Sequence, residues 1–239
     1  VGSERVRAGH GTSRKSRVLL VDDHPIVREG LVRLIDQEPD LAVCGTAVDA
    51  RQALAAVSAS APDVAIVDVS LDGSHGIELV RDLKARHPGL HVLMLSMHDE
   101  SLYAERALRA GAKGYLMKRE SPQRLLQAIR CVMGGGLCFS EAVTNAVLQN
   151  VAGTKRGTAP LPMDRLSDRE LQILELIGHG RTTRQIAEEL HVSVKTVQAH
   201  REHLKEKLQL DSATALARYA VNWVESERSA GPSRSTDRR

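Results

Sequence analysis

The sequence predicts two units: an α/β unit built on a doubly wound parallel sheet, then a smaller all-helical unit. Three observations predict this. Up to Met133, five short apolar runs alternate with five helical patterns, the rhythm of successive βαβ crossovers. Gly134-Gly135-Gly136 stops that rhythm, and from Leu166 the apolar period is helical alone. Between them Ala152 to Met163, with Gly, Thr, Lys, Arg and two prolines, reads as a tether.

The elements follow in order. Strands are predicted at Val18–Val21, Leu41–Cys44, Val64–Asp68, Val92–Leu95 and Gly114–Met117. Helices are predicted between and after them at Val27–Asp36, Ala50–Ala59, Gly76–Arg86, Glu100–Arg109 and Pro122–Met133. Pro39, Pro62 and Pro88 each fall just outside an element, where a proline breaks nothing. A short helix is expected at 141–150, then further helices at Asp168–Gly178, Arg184–Leu190, Val194–Leu208 and Ala213–Glu225. Ser167-x-x-Glu170 and Thr182-x-x-Gln185 read as capping boxes, and Ser193 as an N-cap. The expected division is a disordered basic tail (1–16), the α/β unit (17–133), a linker (134–163), the helical unit (164–225) and a frayed tail (226–239).

Composition narrows the function classes. With 239 residues each unit can bury a core of its own, and aromatics at 2% leave that core to aliphatic side chains. No apolar run approaches the roughly 20 residues that span a bilayer. The polar, basic start lacks the apolar segment of a secretory signal. Three cysteines with no C-x-x-C spacing fit a reduced chain, so a cytoplasmic protein is expected. The net charge of +3 is concentrated in the tails and the linker. Residues 17–133 carry 14 basic and 16 acidic side chains, and residues 164–225 nine and ten, so charge alone makes no case for nucleic-acid binding.

Val64-Ala65-Ile66-Val67 is apolar throughout, as in a strand buried on both faces, and Asp68 stands where it emerges. Ligands gather at this edge of open α/β sheets. Asp22-Asp23 follows the first strand, Ser96 ends the fourth and Lys118 follows the fifth, so all share the edge with Asp68. Three carboxylates together repel unless a cation joins them, and hard oxygen ligands suit Mg²⁺. Lys118 and Ser96 suit phosphoryl oxygens. The chemistry implied is nucleophilic, an Asp carboxylate accepting a phosphoryl group.

On these residues, with Gly76 eight positions after Asp68 and Tyr115 three before Lys118, residues 17–133 resemble the response-regulator receiver domain. The resemblance implies a flavodoxin-like sheet ordered 2-1-3-4-5, with Asp68 as phosphoacceptor. It implies Mg²⁺ held by Asp23, Asp68 and the backbone carbonyl of Ser70, with Asp22 assisting from the same pocket. It gives Ser96 and Lys118 the phosphoryl oxygens and makes Tyr115 the aromatic switch, filling space that Ser96 vacates on phosphorylation. Ser70 and His98 occupy positions that tune phosphoryl lifetime. Two residues depart from the pattern: Asp72 stands where many receivers have proline, and Met97 where a small residue is usual.

In the helical unit, Val194, Val197, Leu204 and Leu208 fall on one face of a helix and should pack inward. The turn His191-Val192 joins it to the helix before, as in a helix-turn-helix. Leu166-Ser-Asp-Arg-Glu170, Ile186-Ala-Glu-Glu-Leu190, Val192-Ser-Val-Lys-Thr-Val197, His200 and Lys207-Leu208 resemble the LuxR-type helix-turn-helix. With the receiver in front, the chain resembles a NarL/FixJ-type response regulator. The resemblance implies a four-helix unit with its third helix in the major groove and its fourth supplying a dimer surface. Gln198, Ala199 and Glu202 are the candidates for base edges. Arg184, Lys195, Thr196, Arg201 and Lys205 complete the candidate DNA surface, the basic ones as phosphate contacts.

His200 and His203, with His191 nearby, have no cysteine or carboxylate pattern around them to complete a metal site. The expectation is a non-enzymatic transcription regulator, phosphorylated by a sensor histidine kinase, binding double-stranded DNA as a homodimer when phosphorylated and working with RNA polymerase. An aspartyl-phosphate phosphatase is the alternative, but it would need a carboxylate at position 70, which is serine. The other alternative keeps the fold with constitutive or ligand-controlled DNA binding.

Overall fold

The computed structural model describes residues 14–98, 100–141, 143–145 and 162–230. Of the helix expected at 141–150, residues 141 and 143–145 are helical and the rest lies outside the described residues. The far N-terminus, most of the tether and residues 231–239 lie outside them too.

The α/β unit runs β1 (Ser16–Val21), α1 (Pro25–Asp36), β2 (Leu41–Ala47), α2 (Ala50–Ser60), β3 (Val64–Asp68), β4 (Ser70–Leu71), β5 (Ser74–His75), α3 (Gly76–Arg86), β6 (His91–Ser96), α4 (Glu100–Ala110), β7 (Gly114–Met117) and α5 (Pro122–Met133). The main sheet has the order β2-β1-β3-β6-β7 with every pair parallel, which among its own five strands is the expected 2-1-3-4-5. Alternate residues go to opposite faces. Val18, Leu20, Val64 and Ile66 pack with Leu125 and Ile129 of α5, while Leu19, Val21, Ala65 and Val67 face Val80, Leu83 and Tyr103 of α3 and α4. A strand buried on both faces must be apolar at every position, which explains the unbroken run of β3.

Register places the polar ends. Val21 stands opposite Val67, so Asp22 and Asp68 leave adjacent strands side by side where the strand order reverses. Ser96 stands opposite Met117, one residue before Lys118. Gly76 explains its own spacing: a Cβ there would stand 1.9 Å from the Asp68 carbonyl oxygen, so only glycine lets α3 start against the end of β3.

The helical unit holds α6 (Asp168–Gly178), α7 (Thr183–Glu189), α8 (Val194–Leu208) and α9 (Ala213–Ala230). Both capping boxes and the Ser193 N-cap are formed. Three details depart from expectation. Val194 is 42% exposed, because the first turn of α8 runs past the packed face that buries Val197, Leu204 and Leu208. Helix α9 continues five residues beyond Glu225, into the segment expected to fray. The two-residue strands β4 and β5 are too short to leave a period in the sequence; they pair Ser70 with His75 and fold the loop after Asp68 back on itself.

Candidate functional site

Asp22 and Asp68 are each 3% exposed, and Lys118 lies between them. Its Nζ stands 2.6 Å from Asp68 Oδ2 and 2.8 Å from Asp22 Oδ2. Burial pushes the Asp68 carboxyl up to about 6; Lys118 opposes the rise, and the charges of Asp22 and Asp23 add to it. Lys118 itself is raised, because attraction to Asp68 and Asp22 outweighs burial, which alone would lower it. The cluster is under-neutralised, with three carboxylates facing one ammonium. One ligand atom from each of Asp22, Asp23, His24 and Asp68 lies within 4.8 Å of the others. Asp23 Oδ1 is buried and accepts no hydrogen bond, with His24 Nδ1 2.8 Å away. An orphaned carboxylate oxygen beside two more fits a small hard cation.

The remaining predicted pocket residues converge from β4, β6 and β7. Ser96 is fully buried, and its Oγ accepts from the His98 amide at 3.0 Å. Ser70 N donates to Asp68 Oδ1 at 3.4 Å. Tyr115 is buried, at 3% exposure, with its hydroxyl donating to the His98 carbonyl at 3.1 Å. Met97 stands at the rim, 76% exposed, and Asp72 is exposed at the tip of the β4–β5 turn.

The wall opposite Asp68 comes from the helical unit. The cleft, about 180 Å³, is lined by Asp68, Ser70, His98 and Lys118 on one side and by Gln172, Leu176, Glu189 and Leu190 on the other. Gln172 Nε2 donates to Ser70 Oγ at 2.7 Å, and Ser70 Oγ in turn meets His98 Nε2 at 3.0 Å. His98 Nδ1 lies 3.0 Å from Glu175 Oε2, which also accepts from the Tyr103 hydroxyl at 2.9 Å. The hydrogen bond and charge of Glu175 raise the His98 pKa although burial alone would lower it, and the same contact holds Glu175 low against its own burial. Two turns before Glu175, Asp168 pairs with Arg81 at 2.8 Å and with Arg106 at 3.0 Å. Arg106 also donates to the carbonyls of Met163 and Leu166.

These partners were missed in the sequence. Asp168, Gln172 and Glu175 recur at i, i+4 and i+7 along one face of α6. That stripe reads as a solvated face until the other unit covers it, and all three are then buried.

The predicted DNA surface is not covered. Arg184, Lys195, Thr196, Gln198, Ala199 and Glu202 are exposed, and Arg201 and Lys205 are half-buried. Glu202 is held by Lys205 at 2.6 Å, and Arg184 by Glu188 at 3.1 Å. What the α/β unit does cover, besides α6, is the end of α9. Trp223 and Val224 line a cavity with Met97, His98, Leu102 and Arg119.

Residues 18–130 match the model of the response regulator receiver domain, and residues 164–220 that of the bacterial regulatory proteins of the luxR family. The oxygen regulatory protein NreC of Staphylococcus carnosus is 35% identical over 209 residues, covering 86% of this chain and 96% of that protein. A two-component response regulator of the LuxR family from Aurantimonas sp. is 36% identical with a TM-score of 0.53, covering 58% of this chain and 99% of that one. RcsB of Salmonella enterica serovar Typhimurium, solved on the promoter rprA with the phosphomimetic BeF₃⁻, is 25% identical with a TM-score of 0.56, covering 87% and 98%.

Proposed function

The chain belongs to the two-component response regulators that join a receiver to a LuxR-type DNA-binding domain, and from that membership we propose how its own residues couple the two. The receiver is placed at residues 17–133 and the output domain at 164–225, joined by a linker. Asp68 is the phosphoacceptor. Its carboxylate attacks the phosphorus of a phosphohistidine presented by a sensor kinase, the P–N bond breaks, and the imidazole leaves. Lys118 balances charge on the phosphoryl oxygens, and the Ser96 hydroxyl turns from the His98 amide to donate to one of them. Asp22, Asp23, Asp68 and the Ser70 carbonyl would hold Mg²⁺, which supplies neutralisation of the charge that develops in transfer.

The observation that carries the reading is the wall of α6 across the pocket. A phosphoryl group on Asp68 brings new negative charge beside Ser70 and His98, whose side chains are tied to Gln172 and Glu175 across the cleft. Phosphorylation therefore weakens the Ser70–Gln172 and His98–Glu175 contacts, and α6 leaves the receiver. The DNA-reading face of α8 is open beforehand, so opening acts through α9. Once Trp223 and Val224 leave the receiver, α9 is free to pair with a second copy. Dimers then bind double-stranded DNA on paired half-sites and act with RNA polymerase. No helix among the described residues is long and apolar enough to cross a membrane, and a cytoplasmic site of action suits this scheme.

The test uses BeF₃⁻ with Mg²⁺ on purified full chain and footprinted genomic fragments. DNA affinity should rise at least tenfold in the native chain and not at all in Asp68→Asn. Equal affinity in both states contradicts the coupling.

A further inference from the structure

Glu170, the N3 residue of α6, occupies a place that the coupling scheme does not use. Its Oε2 is fully engaged, accepting from the Ser167 amide at 2.8 Å and from Lys207 Nζ at 2.6 Å. Its Oε1 accepts no hydrogen bond among the described residues and faces α8, with His203 Nδ1 3.9 Å away. One turn back on the same face of α8 is His200, whose Nδ1 is buried without a hydrogen-bond partner. The two rings stand edge to face, 6.3 Å apart. One ligand atom from each of the three residues lies within 4.8 Å of the others. The carboxylate that local spacing does not provide around the histidines is brought from 30 residues upstream by the packing of α6 on α8.

We propose that Glu170, His200 and His203 form a second metal site, for a borderline transition-metal cation of the Zn²⁺ type. The chemistry separates it from the Asp68 pocket. Two imidazole nitrogens and one carboxylate oxygen are a Zn²⁺ donor set, with a fourth position left to solvent, whereas Mg²⁺ prefers oxygen alone. Zn²⁺ bonds of about 2.0–2.2 Å bring tetrahedral ligand atoms to roughly 3.3 Å of one another, so the cluster must tighten. His203, with its side chain 57% exposed, has the freedom to do so. A metal ion would supply the partner that the buried His200 Nδ1 lacks. Lys207 opposes the ion, since its ammonium shares the same carboxylate. The site is therefore a weak, exchangeable one, spanning the first helix of the output domain and the helix that reads DNA. It does not depend on phosphorylation of Asp68.

The test is calorimetric titration of the full chain with Zn²⁺ in saturating Mg²⁺, repeated with Co²⁺ and read by visible absorption. The native chain should bind one ion with the intense spectrum of a four-coordinate Co²⁺ site. His203→Ala, at an exposed position, should weaken binding at least tenfold with an unchanged thermal midpoint in the absence of metal. Lys207→Met should strengthen it at least threefold. Equal binding by the native chain and His203→Ala, or loss of the signal as Mg²⁺ is raised, overturns the site.

Discussion

At Asp68, burial and charge pull against each other. The fold favours the protonated form, which is why the group is raised to about 6 from its ordinary 3.8. A carboxyl raised on folding contributes its full stabilisation below its unfolded pKa, and loses that advantage as pH rises through 6. At pH 7, without a cation, the ionised group works against the folded state. Asp68→Asn should therefore raise the thermal midpoint of the metal-free chain by several degrees, a change on the order of 1–3 kcal/mol. Differential scanning calorimetry in EDTA checks this, and an unchanged or lowered midpoint contradicts it. His75 makes the complementary case. It is 1% exposed, stacks 5.8 Å from Tyr103 and accepts from the Ile77 amide, and burial lowers its pKa to about 3 from 6.5. Unfolding lets it take up a proton, so its stabilisation is complete above 6.5 and falls as pH drops from there towards 3. His75→Asn, which keeps an acceptor at the helix start, should flatten the loss of stability between pH 6 and 4. Arg130 is the contrast: it bonds Asp40 at 2.8 Å with its own side chain 40% exposed. Arg130→Ala should cost less than about 1 kcal/mol in urea unfolding.

In the proposed scheme helix α6 carries the coupling. Most of its length is buried, with apolar residues turned to α9 and the polar stripe Asp168, Gln172 and Glu175 turned to the receiver. Glu175→Ala leaves His98 without its buried partner and removes the acceptor of Tyr103. Removing one member of such a pair costs on the order of 3–5 kcal/mol where burial is complete. Here the receiver can separate and rehydrate His98, so the expected outcome is an opened chain with DNA affinity in the unphosphorylated state raised about tenfold. An electrophoretic shift series measures it, and affinity equal to the native chain means α6 does not restrain output. The same helix shows where sequence reasoning stops. The strands were legible because a doubly covered strand has to be apolar throughout, and Asp22, Asp68, Ser96 and Lys118 because topology sends all strand ends to one edge. Capping boxes were legible because both partners lie within one turn. Gln172 and Glu175 were not, since their partners Ser70 and His98 stand 102 and 77 residues earlier and meet them only when the two units pack.

The whole molecule is a closed pair of units whose shared surface carries the proposed phosphorylation site on one side and the base of the helical unit on the other. The near balance of acids and bases in residues 164–225 gives a single copy little electrostatic hold on DNA. The proposed control through assembly rests on that balance together with the exposed face of α8 predicted to read DNA and the covered end of α9. In the proposed scheme the closed pair also covers Asp68, so a bulky phosphodonor would act on transiently open molecules and phosphorylation would hold them open.

The distance between the two units is the most direct readout. Spin labels at positions 86 and 218, both exposed, report it by pulsed electron paramagnetic resonance in a chain whose three native cysteines are replaced. With Mg²⁺ alone the account predicts a single narrow distribution. With BeF₃⁻ added it predicts a longer, broader one that appears at the same BeF₃⁻ concentration as the gain in DNA affinity. A gain in DNA affinity with the narrow distribution unchanged would contradict the account.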